Sequence, residues 1–148
     1  MDREVSLKEL LFSETAIRRN INNEPNEEIL INLQTLVIEI INPIVNRFGD
    51  IKITSGYRSK ELCEAIGSKS TSQHTKGEAV DFEVPSVSNK EVADWINKNL
   101  IYDQLILEFW NPAEINSGWI HCSFTKENNR KQYLKAYRKN GMMVYESL

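Results

Sequence analysis

The sequence predicts an α+β domain with a mostly antiparallel sheet, and three observations carry that reading. Apolar residues at helical spacing dominate the first third of the chain, while short alternating runs bounded by turn residues dominate the last third. No β–α alternation, internal repeat, low-complexity tract or linker interrupts this order, so residues 1–148 read as a single domain.

The elements follow in order. Ser6-x-x-Glu9 is a capping box before Leu10 and Leu11, and a second short helix is expected over Glu14 to Arg19. After "NNEPNEE", Asn26 with Glu27 and Glu28 opens the longest helix. Its apolar positions Ile29, Leu30, Leu33, Leu36, Val37, Ile40, Ile41 and Ile44 recur every three or four residues. Pro43 should kink this helix and Gly49 should end it. "IKIT" (51–54) alternates as a strand, "SGYRS" leads into a helix through Glu64, and Phe82 to Val84 should be a strand closed by Pro85. Ser88-x-x-Glu91 caps a helix with Val92, Trp95 and Ile96 on one face. "QLILEFW" and "GWIHCSF" read as strands joined by an Asn-Pro loop. "RKNGMM" sets an Asn-Gly turn between strands 132–137 and 142–145.

Composition bounds the function. With 41% apolar and 26% charged residues in 148, the chain can build an unstapled core. The net charge of −3 argues against a nucleic-acid partner. The basic stretch Arg130, Lys131, Lys135, Arg138 and Lys139, interleaved with Tyr133 and Tyr137, reads as a solvated strand face. Cys63 and Cys122 read as free buried thiols. No apolar run of membrane-span length is expected, and "MDREVSLKEL" lacks the pattern of a signal peptide, so the protein is expected to be made in the cytoplasm.

The only two histidines, His74 and His121, carry the chemistry. Singly, each reads as an ordinary loop or strand residue. With Asp81 they make two imidazoles and a carboxylate, a three-ligand set for catalytic zinc that leaves one tetrahedral position for a water with its pKa near 7. His74 and Asp81 are an odd number of residues apart and would face opposite sides of one strand. Gly77 lets the chain turn between them.

"ITSGYRS", "SQHTKGEAVDF" and "WIHCSF", in that order, resemble the zinc D-alanyl-D-alanine carboxypeptidases, above all the short members of bacteriophages and prophages. The S-x-H-x-x-G-x-A-x-D pattern is met by Ser72, His74, Gly77, Ala79 and Asp81. "SETAIRRN" and "NLQTLVIEIINPIVNRFG" extend the resemblance, which spans residues 6 to 138.

The resemblance implies a hedgehog/DD-peptidase-like fold whose helices pack mainly from the N-terminal half. It implies one Zn2+ per chain on His74, Asp81 and His121. Arg58 matches an arginine that meets the substrate or its developing oxyanion. Ser72 is either a substrate or ligand-orienting donor or a loop cap, and Tyr57 is expected to pack under the site and take part in substrate binding. Where relatives place an acid three residues before the last histidine, this chain has Gly118. Glu108 is the candidate base if the strands pair so as to bring it to the face of His121. A shift of one residue would leave it facing solvent, with Glu114 or Asp103 next in line.

Two functions follow from the resemblance. One is a monomeric zinc peptidase without membrane insertion that cuts peptidoglycan stem peptides, as a carboxypeptidase or an endolysin acting on the wall after phage-assisted release. The other is a zinc-retaining binding or structural module that has lost catalysis.

Overall fold

The computed structural model describes residues 3–148; Met1 and Asp2, the start of the N-terminal stretch, lie outside the described residues. Helix α1 (Leu7–Leu11) starts where the Ser6 N–H donates to the Glu9 carboxylate at 3.1 Å. In α2 (Glu14–Arg18) the Ser13 side chain accepts from the Ala16 N–H. Asn26 caps α3 (Glu27–Leu36) in the same manner, through the Ile29 N–H. That helix runs on through a π-helical turn, Val37–Ile41, into α4 (Asn42–Phe48), which stops at Gly49. Pro43 has no N–H for the Glu39 carbonyl and its ring crowds the preceding turn, so the expected kink takes the form of this widened turn.

The continuous helix Glu27–Phe48 spans 22 residues at mean hydropathy 1.5, long and apolar enough by composition to cross a membrane. This corrects the expectation that no span-length apolar segment exists. Its packing is that of a core helix, with Leu33, Leu36, Ile40, Ile41 and Ile44 fully buried against the rest of the fold.

Among the described residues, six strands form one sheet in the order β1-β2-β4-β3-β5-β6. They are β1 (Lys52–Ser55), β2 (Ala79–Glu83), β3 (Gln104–Glu108), β4 (Trp119–Ser123), β5 (Gln132–Lys139) and β6 (Met142–Ser147). Strand β2 begins at Ala79, three residues before the expected Phe82, because Ala79 already pairs with Ser123. Strands β5 and β6 run on to the turn at Asn140 and Gly141, both at positive φ. Helices α5 (Lys60–Ala65) and α6 (Asn89–Asn99) are capped by Ser59 and Ser88.

Every pairing is antiparallel except β3 with β5. Strand β4 returns the chain to the start of β3, where Cys122 pairs with Leu105. Residues 124–131 then pass to the other edge of β3, and β5 must run in its direction. No long crossover is needed.

Strand alternation gives the sheet two chemically distinct faces. Val80, Phe82, Leu105, Leu107, Ile120 and Cys122 join the helices in the main core. On the opposite face Ile106, Leu134 and Ala136 form a small second cluster, with Met143 against it. The functional side chains stand on this second face.

Candidate metal centre

Asp81 and His121 are direct cross-strand partners on β2 and β4, so they project from the same face. His74 arrives from a 3₁₀ turn, Gln73–Lys76, just before β2. The Ser72 hydroxyl accepts from the His74 N–H at 3.2 Å, which caps the turn. Gly77 ends it at φ 73, a backbone conformation costly for other residues. A Cβ at Gly77 would stand 2.8 Å from the Ile29 carbonyl oxygen, so the turn lies flush against α3. Asn32 donates to the Lys76 carbonyl at 2.9 Å and ties the two together. The parity mismatch between His74 and Asp81 is thus resolved by a turn anchored to the core helix.

One Asp81 oxygen, Oδ1, lies 3.3 Å from His74 Nε2 and 3.0 Å from His121 Nδ1. One ligand atom from each of the three residues falls within 4.8 Å of the others, a group that could hold a metal ion. His74 Nδ1 is 2.7 Å from the Gly56 carbonyl. A carbonyl only accepts, so Nδ1 carries the proton and Nε2 keeps its lone pair. That Nε2 is buried, no donor reaches it among the described residues, and it faces a carboxylate oxygen. Two lone-pair-bearing atoms in such contact repel unless a cation lies between them. The donor set therefore fits a metal, with the Gly56 carbonyl in the supporting position that fixes a ligand imidazole's tautomer.

The electrostatics agree. Burial depresses the His74 imidazole below its ordinary value, against the pull of Asp81, and leaves it neutral as a ligand must be. Burial works to raise the Asp81 carboxyl, but the two histidines outweigh it and hold it well below the usual range. Cys122 points to the other face, into the main core, where burial pushes its thiol far up.

Arg58 belongs to the segment that clasps this turn. Its N–H donates to the His74 carbonyl at 3.1 Å, and its guanidinium lies 3.7 Å from the second Asp81 oxygen. Asn23, in a stretch read from sequence only as a helix break, braces this segment. Its amide donates to the Leu11 and Tyr57 carbonyls and its oxygen accepts from the Ser59 N–H. Nothing local in the sequence distinguishes this asparagine from its neighbours.

Glu108 pairs with Trp119, and Ile106 with His121. Glu108 therefore shares the face of His121, the alternative that sequence left open. Burial raises its carboxyl above the ordinary glutamate range, and the Asp81 charge adds to the rise. Gly118 is explained by contact: at φ 73, its added Cβ would come within 2.1 Å of the Glu108 carbonyl oxygen. The β3–β4 loop closes so tightly there that no side chain fits.

Tyr57 is a correction. It is buried in the main core and lines a separate small cavity with Phe12 and Thr54, away from the metal-centre cleft. Arg58 borders both spaces, whereas Tyr57 borders only the small cavity. Asp103 is not a spare base either. Its carboxylate is buried and taken up by Arg130 and Gln73, while Glu114 stays in the exposed β3–β4 loop.

The centre opens into a cleft of about 950 Å³ that takes in Arg58, Ser72, Glu108, Phe109 and Trp119. It also takes in Arg130, Arg138, Met143 and Tyr145 from the C-terminal segment. The stretch read as one solvated basic face is thus divided by strand alternation. Arg138 turns to the cleft, whereas Lys135 and Tyr137 turn away and meet Glu146.

Residues 3–123 match the sequence model of the family described as Peptidase M15. No curated protein matches the chain. The match takes in every motif residue from Arg58 to His121, and the chain belongs to the Peptidase M15 family, the D-Ala-D-Ala carboxypeptidase type of zinc peptidase to which its motifs pointed.

Proposed function

We propose that this protein is a zinc peptidase that hydrolyses stem peptides of peptidoglycan, built as one domain on the hedgehog/DD-peptidase-like fold. One observation carries the reading: the Nε2 of His74, buried against an Asp81 oxygen with no donor to it, is an arrangement that a bound cation relieves. His74, Asp81 and His121 would hold the ion, one per chain. When bound, zinc supplies Lewis acidity that polarises a peptide carbonyl and makes water a nucleophile at neutral pH.

The chain's own residues do the rest. Glu108, on the cleft face beside Trp119, takes the proton of the attacking water and returns it to the leaving amine. Arg58 faces the same cleft, and its Nε has no hydrogen-bond partner among the described residues. The guanidinium, held 3.7 Å from Asp81 at the metal end of the cleft, balances the negative charge that grows on the carbonyl oxygen. Ser72 both caps the His74 turn and borders the cleft, so its two expected roles are compatible. The non-catalytic alternative drew its support from Gly118, and the tight loop contact gives that glycine a steric reason independent of catalysis.

Purified protein should contain one zinc per chain by elemental analysis, and His74→Ala, Asp81→Ala and His121→Ala should each lose metal and hydrolysis together. Mass spectrometry of digested wall would identify the bond cut. A wild-type protein that holds zinc yet releases no peptide fragment from any wall would return the non-catalytic module to first place. Action on the wall after phage-assisted release is part of the same proposal, tested by lysis from without.

A further inference from the structure

The family match ends at residue 123, yet the cleft does not. Its far wall comes from β5 and β6, outside the matched segment. The pairing shows how. Asp81, His121, Ile106 and Leu134 form one row across β2, β4, β3 and β5. The next row on the same face holds Trp119, Glu108, Ala136 and Tyr145. Arg138 and Met143 pair one step further, past the end of β3. Ile106 and Met143 line the cleft between these rows, and buried Leu134 and Ala136 pack with them.

The charge of this cleft runs against that of the chain. The protein carries a net −3, but Arg58, Lys69, Arg130 and Arg138 border the cleft against only Asp81 and Glu108. Both carboxylates belong to the metal end. Arg130 is engaged by Asp103, and no carboxylate among the described residues pairs with Arg138. An exposed guanidinium without a carboxylate partner, at the end of an apolar strip and with Tyr145 on the next strand of the same face, favours an anionic group on an extended ligand.

We infer that the β5–β6 hairpin forms a substrate subsite in which Arg138, flanked by Met143 and Tyr145, selects peptides bearing a carboxylate remote from the scissile bond. The inference rests on the peptidase reading and adds the substrate feature that this end of the cleft recognises. Strand spacing sets the separation. Arg138 lies two strands across from His121, about 10 Å, and four residues along, about 13 Å. The diagonal is covered by roughly four residues of extended peptide once the reach of the arginine is allowed for.

The test uses zinc-loaded protein carrying Glu108→Gln, so that binding is read apart from cleavage. The probes are peptidoglycan stem peptides with side carboxylates free, and the same peptides with those carboxylates amidated. Binding is followed by tryptophan fluorescence, Trp119 being at the cleft. The free-carboxylate form should bind about tenfold more tightly than the amide. Adding Arg138→Gln should bring the two forms level. Lys139→Gln makes the same change of charge on the opposite face of β5 and should leave the preference intact. Equal affinity for the two forms, a preference that survives Arg138→Gln, loss of the preference in Lys139→Gln, or binding of neither form overturns the subsite. Wild-type turnover of the same peptides separates the two ideas. Cleavage with no carboxylate preference removes the subsite alone, and carboxylate-selective binding with no cleavage removes the peptidase reading alone.

Discussion

At the scale of single residues, Glu108 and Gly118 belong together. The glycine occupies the position where relatives carry an acid, and its lack of a side chain lets the β3–β4 loop close on the Glu108 carbonyl. On the proposed reading, Glu108 takes that role from the neighbouring strand, on the same face as His121. Glu108→Gln should keep zinc and fold but lose about 10²–10⁴-fold in turnover. Burial and the Asp81 charge favour the protonated acid, which cannot act as a base. Wild-type activity should therefore fall as pH decreases and Glu108 takes up its proton, and the Gln variant should lack that limb. Gly118→Asp should not supply a second base. Its Cβ has no space and its φ is unfavourable, so a loss of about 2 kcal/mol or more in denaturant unfolding is expected.

Among the elements, the turn bearing His74 is held from two sides, by α3 beneath it and by Asp103 at its flank. Asp103 accepts from the Arg130 backbone N–H, Nε and Nη2 at 2.8–2.9 Å, and from the Gln73 amide at 3.0 Å. The Arg130 hydrogen bonds, against an opposing effect of burial, hold its carboxyl below the ordinary range. A depressed carboxyl stabilises the fold above its unfolded pKa, and that stabilisation is lost as pH falls through the folded value. Asp103→Asn should thus cost about 1–3 kcal/mol at neutral pH, and the gap from wild type should narrow in acid when thermal unfolding is followed across pH.

Much of this level was readable in the chain: the capping box at Ser6 and Glu9, the caps at Asn26 and Ser88, the stop at Gly49 and the strands carrying Glu108 and His121 all follow from local chemistry. The role of Asp103 was not readable, because its partners lie 27 and 30 residues away and only the fold brings them in. The same holds for Asn23, whose three hydrogen bonds reach two other segments.

On the scale of the whole molecule, the residues of the candidate metal centre could be read because family motifs mark them, and the sheet order could not. The parallel entry of β5 beside β3 depends on where β4 leaves the chain, which no local pattern records. That entry also carries Arg138 to the cleft, so the basic residues, exposed as expected, are divided between two faces of the sheet.

The pairing of Asp81 with His121 has a kinetic consequence. The two strands that bear them are separated in the chain by α6 and β3, so the centre cannot exist until a long loop has closed and the middle of the sheet has formed. If that closure comes after the folding barrier, zinc binds only what has already folded. Stopped-flow refolding should then run at nearly the same rate with and without zinc, while unfolding slows. At a free zinc concentration one hundred times its Kd, linkage gives about 2.7 kcal/mol, which would appear as roughly a hundredfold slower unfolding. A marked acceleration of refolding by zinc would mean instead that the ion nucleates the sheet. On the expected outcome, the metal acts as a latch on a fold that is already built.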